Sequence, residues 1–95
     1  MTPVWSPEAI EDLASLRAYI EQDDPGAAQR VALHILRNIE TLLSQHPDMG
    51  RPGRVPGTRE LVIPRTPFIV PYRVHGDTIQ VLRVLHGARR WPERF

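Results

Sequence analysis

The sequence predicts an α+β domain: an N-terminal antiparallel helical hairpin packed on a small, mainly antiparallel β-sheet. Three observations carry this. Two capped segments with helical apolar spacing fill residues 7–45 and are joined by a very short link. Two β runs, 68–75 and 78–86, flank a Gly-Asp turn. The length, 95 residues, suits one domain spanning 1–95 with one core.

Residues 2–5 read as a short strand. Ser6-Pro7-Glu8 then starts a helix: serine caps, proline occupies the first helical position, and an acid sits in the first turn. Ile10, Leu13, Leu16 and Ile20 continue at helical spacing to about Gln22. Asp24-Pro25 repeats the start signal. Ala28, Val31, Ala32, Ile35, Ile39 and Leu42/Leu43 form a wide apolar stripe that stops near Gln45, before Pro47. Arg30, His34, Asn38 and Thr41 lie off that stripe, and His34 reads as a solvated side chain.

Residues 46–58 form a Gly/Pro-rich connection that shows Arg51 and Arg54 to solvent. It lacks the Gly-Lys-Ser/Thr of a phosphate-binding loop and leads into a strand, 60–63. Gly76-Asp77 fixes the register of the last hairpin: His75 opposes Thr78, Tyr72 opposes Val81, and Val70 opposes Arg83. One face then carries Phe68, Val70, Tyr72, Val74, Ile79, Val81 and Leu85, with Arg83 among them, and is the seat for the helices. Arg83 there needs a partner, either a sheet edge or an acid of the first helix. Pro71 fits a mid-strand position poorly and predicts a bulge or an unpaired amide there.

All twelve basic residues are arginine. Residues 1–48 hold three of them against eight acids, a net of −5; residues 49–95 hold nine against three, a net of +6. The C-terminal half is therefore the expected surface for an anionic partner. The absence of cysteine excludes disulfides, Cys-ligated zinc and a Cys nucleophile, and fits a cytoplasmic location. No segment has the length of a membrane span or the pattern of a signal peptide, so no membrane partner is expected. No His/Asp/Glu set has metal-ligand spacing, and no cofactor is implied.

Chemistry concentrates in residues 83–95, where four arginines, His86, Trp91 and Phe95 follow one another closely. Guanidinium neutralises phosphate, imidazole exchanges protons near neutral pH, and aromatic rings stack on bases. The alternative for this segment is a basic tail whose Trp91 and Phe95 fold back on the core.

In combination, several blocks resemble the RelE/ParE superfamily, toxins of bacterial type II toxin–antitoxin systems. They are the capped helical hairpin, His46-Pro47-x-Met49-Gly50-Arg51-Pro52, Gly57-Thr58-Arg59-Glu60-Leu61, Tyr72-Arg73-Val74 and the run Val81–Arg89. The resemblance implies a microbial-ribonuclease-like fold and a cognate antitoxin whose C-terminal segment wraps the toxin. It also implies one of two activities: cleavage of mRNA in the ribosomal A site (RelE-like), or poisoning of DNA gyrase without hydrolysis (ParE-like). Arg89 matches the catalytic arginine of the ribonuclease branch, with His86 as a substitute acid or base. Ile69 stands where RelE has a second arginine, lysines are absent, and Phe95 replaces a terminal tyrosine. These departures favour the ParE-like branch. Arg59, Arg73, Arg83, Arg90 and Trp91 are the expected contacts to target or nucleic acid. A third possibility is a toxin remnant that acts only as antitoxin partner and co-repressor.

Overall fold

The computed structural model describes all 95 residues. In chain order it contains β1 (Thr2–Trp5), α1 (Pro7–Glu21), α2 (Pro25–Arg37) with a π-helical continuation (Asn38–Leu43), β2 (Arg51–Pro52), β3 (Arg59–Val62), β4 (Phe68–His75), β5 (Thr78–Val81) and β6 (Leu85–His86). Both expected caps form. Ser6 Oγ accepts from the Ala9 N–H at 3.0 Å, and Asp24 Oδ1 accepts from the Ala27 N–H at 3.0 Å. The π-helical turn begins at Asn38, whose side chain donates to the His34 carbonyl at 2.8 Å. It keeps Ile39 and Leu43 buried and leaves Leu42 exposed.

The sheet runs β1-β5-β4-β3-β2, with β6 also paired to β4. All pairs are antiparallel except β1 with β5, which is parallel. The β4–β5 hairpin has the expected register, with Tyr72 opposite Val81 and His75 opposite Thr78. Its turn uses Gly76 at φ +59°, a left-handed conformation that glycine adopts without steric cost. The helices cover one face. Ala9, Ile35, Ile39 and Leu43 pack on Leu61, Val70, Tyr72, Ile79, Val81 and Val84 in a single core.

Residues 78–86 are not one strand. β5 ends at Val81, and when pairing with β4 resumes, Ile69 faces Leu85 and Phe68 faces His86. One extra residue has entered the strand, a β-bulge. The bulge lies opposite Pro71 rather than in β4 at Pro71 itself. Leu82 N–H donates to the Pro71 carbonyl at 2.9 Å, but Pro71 has no N–H to return. The Leu82 carbonyl instead accepts from Ser6 Oγ at 2.7 Å, so the residue that caps α1 also satisfies the strand acceptor the proline leaves open. The bulge also changes which side chain faces the helices. Val84, not Arg83, enters the core, and Arg83 turns to α1. Val74, placed on the core face by alternation, lies beyond the helices and is exposed.

Two further expectations change. His34 is not solvated: its Nε2 lies 2.8 Å from the Pro64 carbonyl and ties the β3–β4 turn to α2. Arg51 and Arg54 do not simply face solvent; both pair with Glu60, at 3.1 and 3.2 Å.

Candidate functional site

An open groove of about 610 Å³ runs between the helical hairpin and the chain beyond β6. Leu16, Tyr19 and Ile20 of α1 and Val31 of α2 line one wall. Tyr19 is 64% exposed although it belongs to an apolar helix surface, so the sheet does not cover that part of α1. The opposite wall carries Phe68, His86, Arg89, Arg90 and Trp91, and Arg65 of the β3–β4 turn closes one end. The helices thus form one wall of the site.

Local chemistry places this second wall. The Gly87 N–H donates to the Pro67 carbonyl at 2.7 Å, and a Cβ on Gly87 would stand 2.9 Å from Ile69 Cδ1 and 3.3 Å from the Pro67 carbonyl oxygen, so a larger residue there would have to displace the Ile69 side chain as the chain leaves β6. The His86 ring meets Phe68 edge-on at 5.9 Å, and its Nδ1 accepts from the Ala88 N–H at 3.1 Å. Trp91 Nε1 donates to the His86 carbonyl at 3.0 Å, while the Arg54 guanidinium stacks 3.5 Å over the indole. Arg54 in turn binds Glu60 through its backbone N–H (2.8 Å) and its Nε (3.2 Å). A buried carboxylate therefore anchors the terminal segment through one arginine. Burial pushes the Glu60 carboxyl up, but the Arg54 and Arg51 hydrogen bonds and the Arg54 charge outweigh it and hold the group below its ordinary value of 4.5.

The structure brings His86, Arg89, Arg90 and Trp91 together on one wall and sends the other candidates elsewhere. Arg59 donates to the Gly50 and Asp48 carbonyls at 2.7 and 3.2 Å, closing the 46–58 loop. The same loop is held by Tyr72, whose buried hydroxyl donates to the Pro47 carbonyl and accepts from the Gly50 N–H. Burial raises the Tyr72 hydroxyl above its usual range, so it stays a donor. Arg83 makes a two-point pair with Asp12 (2.7 and 3.0 Å), the acid of the first helix that its position required. Asp12 also accepts from the Val84 N–H at 3.0 Å; the hydrogen bonds from Arg83 to Asp12, with the Asp12 charge, raise the Arg83 pKa against the effect of burial. Arg73 lies on the sheet face away from the helices, half-buried, with its Nε unpartnered. The groove's apolar helical wall and Arg65 were not singled out in the sequence. Leu16, Ile20 and Val31 read there only as helical apolar positions.

No group of three or more His, Asp or Glu side chains is placed to hold a metal, and no helix is long and apolar enough to cross a membrane. The fold, with its helical hairpin on a sheet and a basic segment after the last strand, defines a toxin of the RelE/ParE superfamily. Residues 4–91 match the model of the ParE toxin of type II toxin–antitoxin systems, and the chain belongs to that family. It is 43% identical over 89 residues to the putative toxin Y4kP of Sinorhizobium fredii, covering 94% of this chain and 91% of that protein. It is 35% identical to toxin RelE2 of Caulobacter vibrioides, over 90% of this chain and 94% of the relative. Among solved structures, a chain of the chromosomal ParDE TA system from P. aeruginosa superimposes with a TM-score of 0.83 at 32% identity, covering 90% of this chain and 95% of that one. A chain of the toxin–antitoxin complex RelBE2 from Mycobacterium tuberculosis gives 0.68 at 26% identity, with 93% and 92% covered.

Proposed function

We propose that this protein inhibits growth by binding DNA gyrase, without hydrolytic chemistry of its own, and is neutralised by a cognate antitoxin. The observation that carries the reading is the state of His86. Its Nδ1 accepts the Ala88 N–H, so in this geometry the neutral ring carries its proton on Nε2. Nε2 is then a donor, and in this tautomer it does not accept a proton from a 2′-hydroxyl. Phe95 offers no hydroxyl to replace it. The wall can bind an anionic surface through Arg89 and Arg90, yet it lacks a general base. For the antitoxin, the apolar helical wall with arginines at its margins suits an amphipathic, acidic segment that folds as it binds.

The ribonuclease reading keeps one point in its favour: Arg89 and His86 line the same groove, and a relative carries the RelE name. Expression without antitoxin separates the two. The gyrase reading expects SOS induction and filamentation with intact mRNA. Codon-phased cuts in translated mRNA without DNA damage would establish the ribonuclease, and no growth defect at all would favour a co-repressor remnant.

A further inference from the structure

We propose that Arg30, Arg37 and Arg65 form a second anion site, adjoining the groove and sharing Arg65 with its end, that binds the phosphodiester backbone of a nucleic acid. The three residues come from halves of the chain with opposite net charge, and the fold brings them together. Arg30 and Arg37 are seven positions apart on α2, two helical turns, so they lie on one face about 10 Å apart along the axis. Between them, His34 holds the Pro64 carbonyl at 2.8 Å and docks the β3–β4 turn beside that face. Together they line an open cleft of about 560 Å³.

Arg65 adds an independent observation. It is the one non-glycine residue with a positive φ, +63°. A left-handed arginine is strained by its Cβ, and the turn around it holds it there. Thr66 Oγ1 donates to the Ile63 carbonyl and accepts from the Phe68 N–H, at 3.0 and 3.1 Å, while His34 fixes the other side. That conformation sends the Arg65 side chain to the cleft, where it joins the α2 arginines.

The chemistry of the cleft selects phosphate. None of the three guanidiniums has a carboxylate partner; the ion pairs of the protein belong to Arg51, Arg54 and Arg83. Of the acids nearest along the helix, Glu40, three residues beyond Arg37, accepts from Trp5 Nε1 at 3.0 Å, and Asp24, six residues before Arg30, caps the helix. Only Val31 and Leu33 among the lining residues are apolar, so an amphipathic peptide finds little to anchor on. Charge must then supply the affinity, and guanidinium meets phosphate oxygens two at a time.

The test is fluorescence anisotropy on the full chain, with a labelled DNA duplex of about two helical turns, the RNA duplex of the same sequence, and a poly-glutamate peptide, across a salt series. Arg30→Gln/Arg37→Gln, which leaves the groove untouched, is expected to weaken duplex binding at least several-fold and to flatten the log–log salt slope by about 2. Loss on either duplex supports the site, and the duplex affected identifies its source. Arg65→Gly guards against a folding artefact: it relieves the left-handed residue, so melting temperature holds or rises while duplex affinity falls. Unchanged affinity and slope on both duplexes overturn the proposal. So does weakened poly-glutamate binding with intact duplex binding, which would make the cleft a peptide site. An equal loss from Arg17→Gln, an exposed arginine of α1, would reduce the effect to general charge and overturn it as well.

Discussion

Two clusters of arginine flank the same sheet, and they do opposite things. Arg51 and Arg54 converge on Glu60, a carboxylate only 3% exposed, and Arg54 passes the contact on to Trp91. Arg65, Arg89 and Arg90 have no ion-pair partner and edge the groove. In the sequence both clusters belong to the same basic half. The difference is one buried acid: where a carboxylate is present, guanidinium is spent holding a loop and a terminal segment together, and where none is present it stays available to a partner. Net charge by segment therefore overstates the functional surface. Four of the nine C-terminal arginines (Arg51, Arg54, Arg59 and Arg83) are bound within the protein.

The contrast can be broken from the structural side first. Glu60→Gln leaves Arg51 and Arg54 without their charge partner, and the expected loss is about 2–3 kcal/mol, read by denaturant unfolding. Tyr72→Phe removes the hydroxyl that joins Pro47 and Gly50 and is expected to cost about 1–3 kcal/mol in the same assay. Asp12→Asn follows at about 1–2 kcal/mol, since the Arg83 pair is partly exposed and one neutral acceptor remains for Val84.

Acid titration sharpens the same comparison. Because the Glu60 carboxyl is depressed in the folded state, its stabilisation is fully present above the ordinary value of 4.5 and is lost as pH falls through the lower folded value. The stability gap between the wild type and Glu60→Gln should be constant near neutrality and close below that range. A gap that persists in acid would mean that the carboxylate charge is not what holds the two arginines.

Local signals made much of this fold legible. Ser6-Pro7 and Asp24-Pro25 placed both helix starts, and Gly76-Asp77 set the β4–β5 register. The parallel pairing of β1 with β5 joins residues 76 positions apart and leaves no local trace. The bulge was half legible. Pro71 announced a fault in the ladder, but the fault is absorbed by the facing strand, because an extra residue there restores Val84 to the core and lets Ser6 satisfy Leu82. That displacement made Arg83 a partner of Asp12 in place of an outlier on an apolar face. The terminal basic segment was legible as chemistry. Its opposing wall was not, since a groove needs two surfaces and the second comes from α1, far away in sequence.

The division of the arginines is tested most directly by Arg89→Ala/Arg90→Ala, assayed for growth arrest on induction beside its melting temperature. Both side chains are exposed and unpaired, so stability should stay within about 0.5 kcal/mol of the wild type, while growth arrest is lost. A variant that still arrests growth at full stability would contradict the account, because the unpaired arginines would then be as dispensable to function as they are to the fold.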